Sequence, residues 1–202
     1  GVGASVVNAL SDWLEVEISS EGKVYRQRYE RGKVCYPLKV VGECEPERTG
    51  TKVTFKPDGT IFEDTVYDFD VLKTRLRETA FLTKALKIRL TDKREEPEKT
   101  REFHYEGGIR EFVEYLNNSK DALYHDIMYF EGKKNGVYVE VAMQHNDAYN
   151  ESVYTFVNNI NTPEGGTHLV GFRNALTKTM NDYARSAKLL KESEQNLSGE
   201  DI

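Results

Sequence analysis

Period-two alternation, broken by tight polar turns, limits this chain more than any other feature. "LEVEIS" puts Leu14, Val16 and Ile18 on one face, "SSEG" turns, and "KVYRQRYE" alternates again. That is a β-hairpin with one face turned to a core. The pattern returns where "GKKNG" joins "DIMYF" to "GVYVEVAMQHND", with Val137, Val139, Val141 and Met143 in step. "TKVTFKPDGT", with Val53 and Phe55 on one face, "KIRLTD", with Ile88 and Leu90 inward, and "SVYTFVNNI" are predicted as further strands. Helical spacing occurs in four places. Val2, Val6, Ala9 and Leu10 predict a helix over 2–12. The other three are marked by Leu72, Leu76, Ala80 and Phe81, by Ile109, Phe112, Val113 and Leu116, and by Leu169, Phe172, Leu176, Met180 and Tyr183. Strands and helices do not alternate strictly. A doubly wound parallel sheet is therefore excluded, and an α+β fold with antiparallel hairpins in both halves is expected.

The 202 residues suit one large domain or two small ones. Apolar residues make up 38% and aromatics 11%, enough to pack a core and too aromatic for a disordered chain. A net charge of -6 excludes binding to nucleic acid through overall charge and leaves a local basic surface open. No apolar run reaches the length of a membrane span and no signal peptide is visible. Cys35 and Cys44 match no metal or redox spacing, so reduced thiols in a cytoplasm are expected. The chain opens without methionine and reads as an excised piece of a longer protein. Residues 91–102, "TDKREEPEKTRE", form a charge run containing Pro97 and are expected to be a solvated loop and a domain boundary. The polar tail from Glu192 to Asp201 is expected to fray.

Several residues could carry chemistry. "GVG" at a helix start would offer free N–H groups to an anion, with glycines admitting a phosphate close to the backbone, although an ordinary helix start also explains two glycines. Thr51, after Thr49 and Gly50, could bond a ligand or simply form strand. The four histidines show no pair at metal-binding spacing, and no nucleophile motif is present. The last helix carries Arg173, Lys178, Arg185, Lys188 and Lys191 against Asp182, a solvated face or a track for phosphates. Before it, "NNINTPEGGTH" reads as a strand-to-helix turn, with Gly165 and Gly166 relieving the backbone and Thr167 as the expected N-cap.

Taken together, "GVGASVVNALS", "RTGTKVTFKPD", "FHYEGGIREFVEYLN" and above all "NNINTPEGGTHLVGFRNALT" resemble the B subunits of bacterial DNA gyrase and topoisomerase IV. The stretches occur in the family's order and spacing and cover essentially the whole chain; "HYEGG" is closer to gyrase. The resemblance implies the second half of a Bergerat-type (GHKL) ATPase domain over 1–102, then a transducer domain with a ribosomal-protein-like α/β fold over 103–202. It implies an ATP-dependent type II DNA topoisomerase in the cytoplasm that couples ATP binding and hydrolysis to strand passage and supercoiling. ATP and Mg2+ would be its cofactors. Double-stranded DNA, a second B subunit that dimerises on ATP binding, and the gyrase A subunit would be its partners, with no membrane involved. Carried over by position, Gly1, Val2 and Gly3 match the phosphate-wrapping glycine motif, with Ala4 on the nucleotide side. Thr51 matches the threonine of the adenine hydrogen-bond network and Val53 a pocket wall. The cations Arg173, Lys178 and Arg185 are expected to face DNA.

The resemblance also implies what lies elsewhere. The family's general-base glutamate, magnesium-binding asparagine and adenine-reading aspartate precede the position of Gly1, and its transducer lysine follows that of Ile202. This chain alone is therefore expected to be catalytically inactive and to bind neither cofactor tightly. Ser20 stands where many gyrases carry an arginine beside the coumarin-drug site. A non-catalytic DNA- or partner-binding module of the same fold is the alternative reading. A chaperone or mismatch-repair ATPase of the same superfamily is opposed by "GGTHLVGF".

Overall fold

A computed structural model describes residues 2–202. The chain divides into two compact units, one ending at Asp68 and one beginning at Phe69.

The first unit opens with helix α1 (Gly3–Ala9). An antiparallel sheet follows, formed by β1 (Ser11–Ser20), β2 (Lys23–Glu30), β3 (Lys33–Val34), β4 (Lys39–Glu43) and β5 (Gly50–Pro57). β1 is central, paired with β2 on one side and β5 on the other, while β3 and β4 both pair with β2. The register sets Val16 opposite Gln27 and Val53, and Ile18 opposite Tyr25 and Thr51. Side chains two apart share a face, so Leu14, Val16, Ile18, Thr51, Val53 and Phe55 lie together on one side. The other side is charged and cross-linked. Arg26 meets Glu17 at 2.8 Å, Lys52 meets Glu17 at 3.4 Å, and the Arg28 guanidinium lies 4.7 Å from the centre of the Trp13 ring. The helix expected over 2–12 ends at Ala9, because Ser11 already pairs with Pro57 and its hydroxyl donates back to Val7 O at 2.6 Å.

The second unit runs α2 (Phe69–Leu82), β6 (Lys87–Asp92), β7 (Lys99–His104), α3 (Ile109–Asn117), β8 (Met128–Lys134), β9 (Val137–Met143), β10 (Phe156–Val157), β11 (Ile160–Asn161) and α4 (Thr167–Ser186). Its core is aromatic. Phe81 on α2 is 1% exposed; its ring stacks 3.7 Å from Tyr105 and 4.8 Å from Phe112, with Tyr115 at 5.6 Å. Phe103 and Ala80 are buried as well, and Arg77 lies over both Phe103 and Tyr115. The spacing that marked α2 and α3 in the sequence is the spacing that brings these rings together.

Hairpins in both units close on two consecutive residues of positive φ: Glu21 and Gly22 (51° and 75°), Arg31 and Gly32 (47° and 78°), Asn135 and Gly136 (51° and 80°), Asn158 and Asn159 (51° and 64°). This is the backbone of a type I′ turn, whose twist matches that of the flanking strands. The "GKKNG" turn is thus only Asn135 and Gly136, with Gly132, Lys133 and Lys134 inside β8. "SVYTFVNNI", expected as one strand, is instead the short hairpin β10–β11, folded at its two asparagines. The charge run 91–102 also differs from expectation. Lys87 pairs with His104 and Asp92 with Lys99, so ladder hydrogen bonds span the run and only 93–98 remain as the turn. The compact units part between Asp68 and Phe69 rather than at 102/103, where residues 58–68 carry no helix or strand.

Phe81→Ala removes the ring on which three aromatics lean. It should destabilise the second unit by about 3–5 kcal/mol, read from the urea midpoint with an unchanged m value. A loss under about 1 kcal/mol would mean that the stack is peripheral.

Candidate functional site

The residues singled out in the sequence fall into two groups, one in each unit. In the first unit Gly1 lies outside the described residues. Val2 is the N-cap of α1, and its carbonyl accepts from Val6 N at 3.0 Å. The amides before Val6 are the orphan donors of a helix start, and no acidic residue sits in this turn to satisfy or repel them. Val2, Gly3 and Ala4 are exposed, and a side chain at Gly3 would meet no atom within 4 Å. Thr51 and Val53 are exposed on β5, opposite Ile18 and Val16, and Val53 is 52% accessible. A hydroxyl therefore borders an open apolar strip made of Val53 and Phe55, both well exposed, beside Val16 and Ile18.

The far end of α1 is anchored in a way the sequence did not reveal. Asp58 is 2% exposed. Its Oδ1 accepts from the Thr60 hydroxyl at 2.7 Å and from Thr60 N at 2.9 Å, and its Oδ2 accepts from Arg31 Nε at 3.0 Å. Its own amide donates to Leu10 O at 3.0 Å. The Thr60 hydroxyl first, then the Thr60 amide, with the Arg31 charge adding to them, holds this carboxyl below its ordinary value. The bonds from Thr60, two residues on, follow the local pattern of an Asp in a turn; the pairing with Arg31, from a turn far away in sequence, follows no spacing rule.

In the second unit the "NNINTPEGGTH" stretch builds a closed polar joint. Thr162 N donates to Thr155 O at 2.8 Å, the Thr155 and Thr162 hydroxyls meet at 2.7 Å, and Thr162 Oγ1 lies 3.1 Å from His168 Nε2. Gly165 N donates to Thr162 O at 2.9 Å, and Gly165 takes a φ of 72° that a Cβ would oppose. Gly166, not Thr167, is the N-cap of α4, and no side chain caps it. Hydroxyls facing each other across the β10–β11 hairpin thus consume the polar groups that the sequence left unassigned.

The basic helix behaves differently from expectation. Leu169, Phe172 and Leu176 are half-buried, while Met180 and Tyr183 are exposed, Tyr183 at 64%. The buried stripe shifts toward Asn181 and Ala184, because the tail, expected to fray, folds back onto it. Asn181 Nδ2 donates to Leu197 O at 2.9 Å and Leu197 N returns a bond to Asn181 Oδ1 at 2.7 Å. Arg185 donates to Lys191 O at 2.6 Å, Glu194 O at 2.7 Å and Asn196 Oδ1 at 2.8 Å. Its guanidinium is therefore committed to the tail. Arg173 pairs with Glu151 and Lys178 with Asp182, each at 2.6 Å and each between exposed groups. Such pairs are worth little in water, so these two cations are cheap to redirect.

Two further clusters escaped the sequence. The Tyr129 hydroxyl lies 2.8 Å from Glu131 and 2.7 Å from Glu140, able to donate its one proton to either, and these carboxylates, Glu140 first, push its phenol well above the ordinary range. Lys84 reaches Glu140 at 3.2 Å, and its stem fills the space where a Cβ on Gly108 would stand. Asn117 donates to Gln144 Oε1 at 2.8 Å and accepts from Asn146 Nδ2 at 2.9 Å, while Gln144 donates to Tyr124 O at 2.8 Å, which secures the 117–126 segment at the end of β9. Alternation could have flagged Tyr129 and Glu140 as outward-facing residues; it could not have paired them.

Comparison with known proteins adds a family. Residues 108–202 match the model of the DNA gyrase B family. Over its whole length the chain is 57% identical to the DNA gyrase B protein of Halalkalibacterium halodurans and 52% identical to the DNA topoisomerase 4 B protein of Streptococcus pneumoniae. It spans about a third of each, 31% of their length. Among solved structures, it resembles the 43K ATPase domain of Thermus thermophilus gyrase B in complex with an aminocoumarin, with a TM-score of 0.83 and 42% identity. That likeness covers 99% of this chain and 54% of that one. Among the described residues no helix is long and apolar enough to cross a membrane.

Arg185→Ala should release the tail, whereas Arg173→Ala should not. Limited proteolysis followed by mass spectrometry should show new early cuts within 190–198 only in the Arg185 variant. Equal digestion of the two variants would remove Arg185 from this role.

Proposed function

This chain belongs to the DNA gyrase B family, and on that premise we propose that it is part of the ATP-driven subunit of a type II DNA topoisomerase, working in the cytoplasm. Its first unit would hold one side of the nucleotide site and its second would belong to the element that relays nucleotide state to DNA. The full-length match carries this reading, together with the open placement of Gly3, Thr51 and Val53 in one unit.

The residues present suit the nucleotide's parts. Backbone amides at Gly3 and Ala4, free of acidic neighbours, can neutralise phosphate oxygens, and the absent Cβ at Gly3 leaves room for close approach. Gly1 and Val2 would extend this cradle. The Thr51 hydroxyl can bond the polar edge of the base, while Val53 covers its apolar face. ATP supplies the phosphoryl group when bound. The magnesium ligands, and the base that orients the attacking water, are assigned to the rest of the enzyme's ATP-driven chain. Double-stranded DNA, a second copy of that chain and the gyrase A protein are the partners of the whole enzyme. Arg173 and Lys178 are assigned to DNA phosphates, at the cost of two exposed ion pairs; Arg185, first grouped with them, is assigned to the tail.

Two measurements test this. The chain by itself should show no ATP turnover above a buffer blank, and adding the upstream family segment in cis should give a slow rate. Turnover by the isolated chain, with contaminants excluded, would overturn the assignment of the base. In the full-length protein, Arg173→Ala and Lys178→Ala should each weaken DNA binding and lower its log–log salt slope by about one. Unchanged affinity and slope would leave α4 a solvated face.

A further inference from the structure

The C-terminal end of α1 is held by the residue that follows β5 and lies close to the β2–β3 turn. That end of the helix has two bonded anchors, Leu10 O accepting the Asp58 amide and Ser11 Oγ donating to Val7 O, and it lies so close to the Gly32 backbone that a Cβ there would stand 3.4 Å from Ala9 Cα. Among the described residues its N-terminal end has none of this kind. Val2 is 76% exposed and Gly3 has open space around it. The close approach at Gly32 and the bond from Asp58 lie next to one ion pair. Arg31, in the β2–β3 turn with Gly32, donates its Nε to Asp58 at 3.0 Å and brings Nη2 within 3.8 Å of Asp12. Asp58 follows directly on β5, the strand that carries Thr51 and Val53.

We propose that the Arg31–Asp58 pair is a positioning element of the nucleotide site: it fixes the root of α1 against the end of β5 and so sets Gly3 and Ala4 at a defined distance from Thr51 and Val53. This rests on the reading of those four residues as nucleotide contacts. Neither Arg31 nor Asp58 is among them. A tilt at the root of a helix is carried along its axis to the other end, and α1 has seven residues over which to carry it. At the roughly 1.5 Å rise per residue of an α-helix, a tilt of about 6° at the root displaces the head by ~1 Å. Displacements of that size matter where several donors must meet one ligand together. Asp58 suits the role because its carboxylate is buried and bonded on both oxygens, which leaves it one position. Arg31 suits it because its guanidinium bridges Asp12 on β1 and Asp58 at the end of β5 from outside the sheet.

The test uses Arg31→Ala, since the Arg31 side chain is 61% exposed and its loss removes no core. Arg31→Lys serves as the conservative variant. In the full-length protein, affinity for a non-hydrolysable ATP analogue is measured by calorimetry at a temperature where circular dichroism shows every variant fully folded. Arg31→Ala should weaken binding by roughly tenfold, with Arg31→Lys recovering part of it, as expected for lost preorganisation. A purely structural role would lower the melting temperature and leave this affinity alone. Binding by wild type and Arg31→Ala with equal affinity overturns the positioning role while leaving the nucleotide reading intact. Failure of the wild-type protein to bind the analogue overturns the nucleotide reading, and the positioning role with it.

Discussion

Two-residue turns with left-handed backbone at both positions decide most of what this molecule is. A type I′ turn leaves no freedom in which residues face each other, and a slip of one residue would exchange the two faces of a strand. Glu21 and Gly22 thus place Ser20 against Lys23, and from there Ile18 against Tyr25 and Val16 against Gln27. Because β1 also pairs with β5, the same register places Thr51 and Val53 on the face of Ile18 and Val16. The position of the threonine assigned to the nucleotide therefore traces back to a turn well before it in the chain. Asn135 with Gly136 does the same for β8 and β9: it puts Tyr129 and Glu131 on the face shared with Glu140 and Tyr138.

The features legible in the sequence are those that local pattern controls. Alternation located β1, β2, β5, β6 and β9, and three-four spacing located α2, α3 and α4, since burial of one face writes directly into residue order. The errors share a different cause. The charge run at 91–102 looks like a linker in composition, yet Thr91 and Thr100 bond side chain to side chain at 3.1 Å inside a ladder. Charges are tolerated there because both strands have an exposed face, so polarity alone did not separate strand from loop. The tail after Glu192 reads as disordered because it is polar, and is ordered by Asn181 and Arg185, whose donors satisfy its backbone carbonyls. The pairings of Asp58 with Arg31 and of Tyr129 with Glu140 were unreadable because the fold, and not spacing along the chain, brings those partners together.

Surroundings separate the roles of chemically identical residues. Arg173 and Arg185 lie on one helix, and the sequence treats them alike. Arg173 faces a single exposed carboxylate, whose attraction water and salt weaken. Arg185 faces three oxygens, two of them backbone carbonyls of the tail, and charge-assisted bonds of this kind are the stronger sort. Moving Arg173 to a phosphate exchanges one anion for another. Moving Arg185 strips the tail of the donors that fold it back and leaves its oxygens to be rehydrated.

The same reasoning explains why the two sides of the first unit's sheet differ so much. The charged side is largely paired within itself: Glu17 accepts from Arg26 and Lys52, and Arg28 covers Trp13. Arg26 above all, then Lys52, holds Glu17 below its ordinary value. The opposite side has no such closure. Val53 and Phe55 remain open to solvent beside Thr51, whose hydroxyl has room for a ligand. A sheet that satisfies one face with its own charges and leaves the other apolar, with a hydroxyl at its border, has the polarity that a base-and-phosphate ligand requires: a dry surface for the ring and a polar rim for its edge. On the proposed reading, the carboxylate of Asp58 at the end of the same strand, buried and bonded on both oxygens, would help to set the spacing between the residues assigned to the phosphates and those assigned to the base.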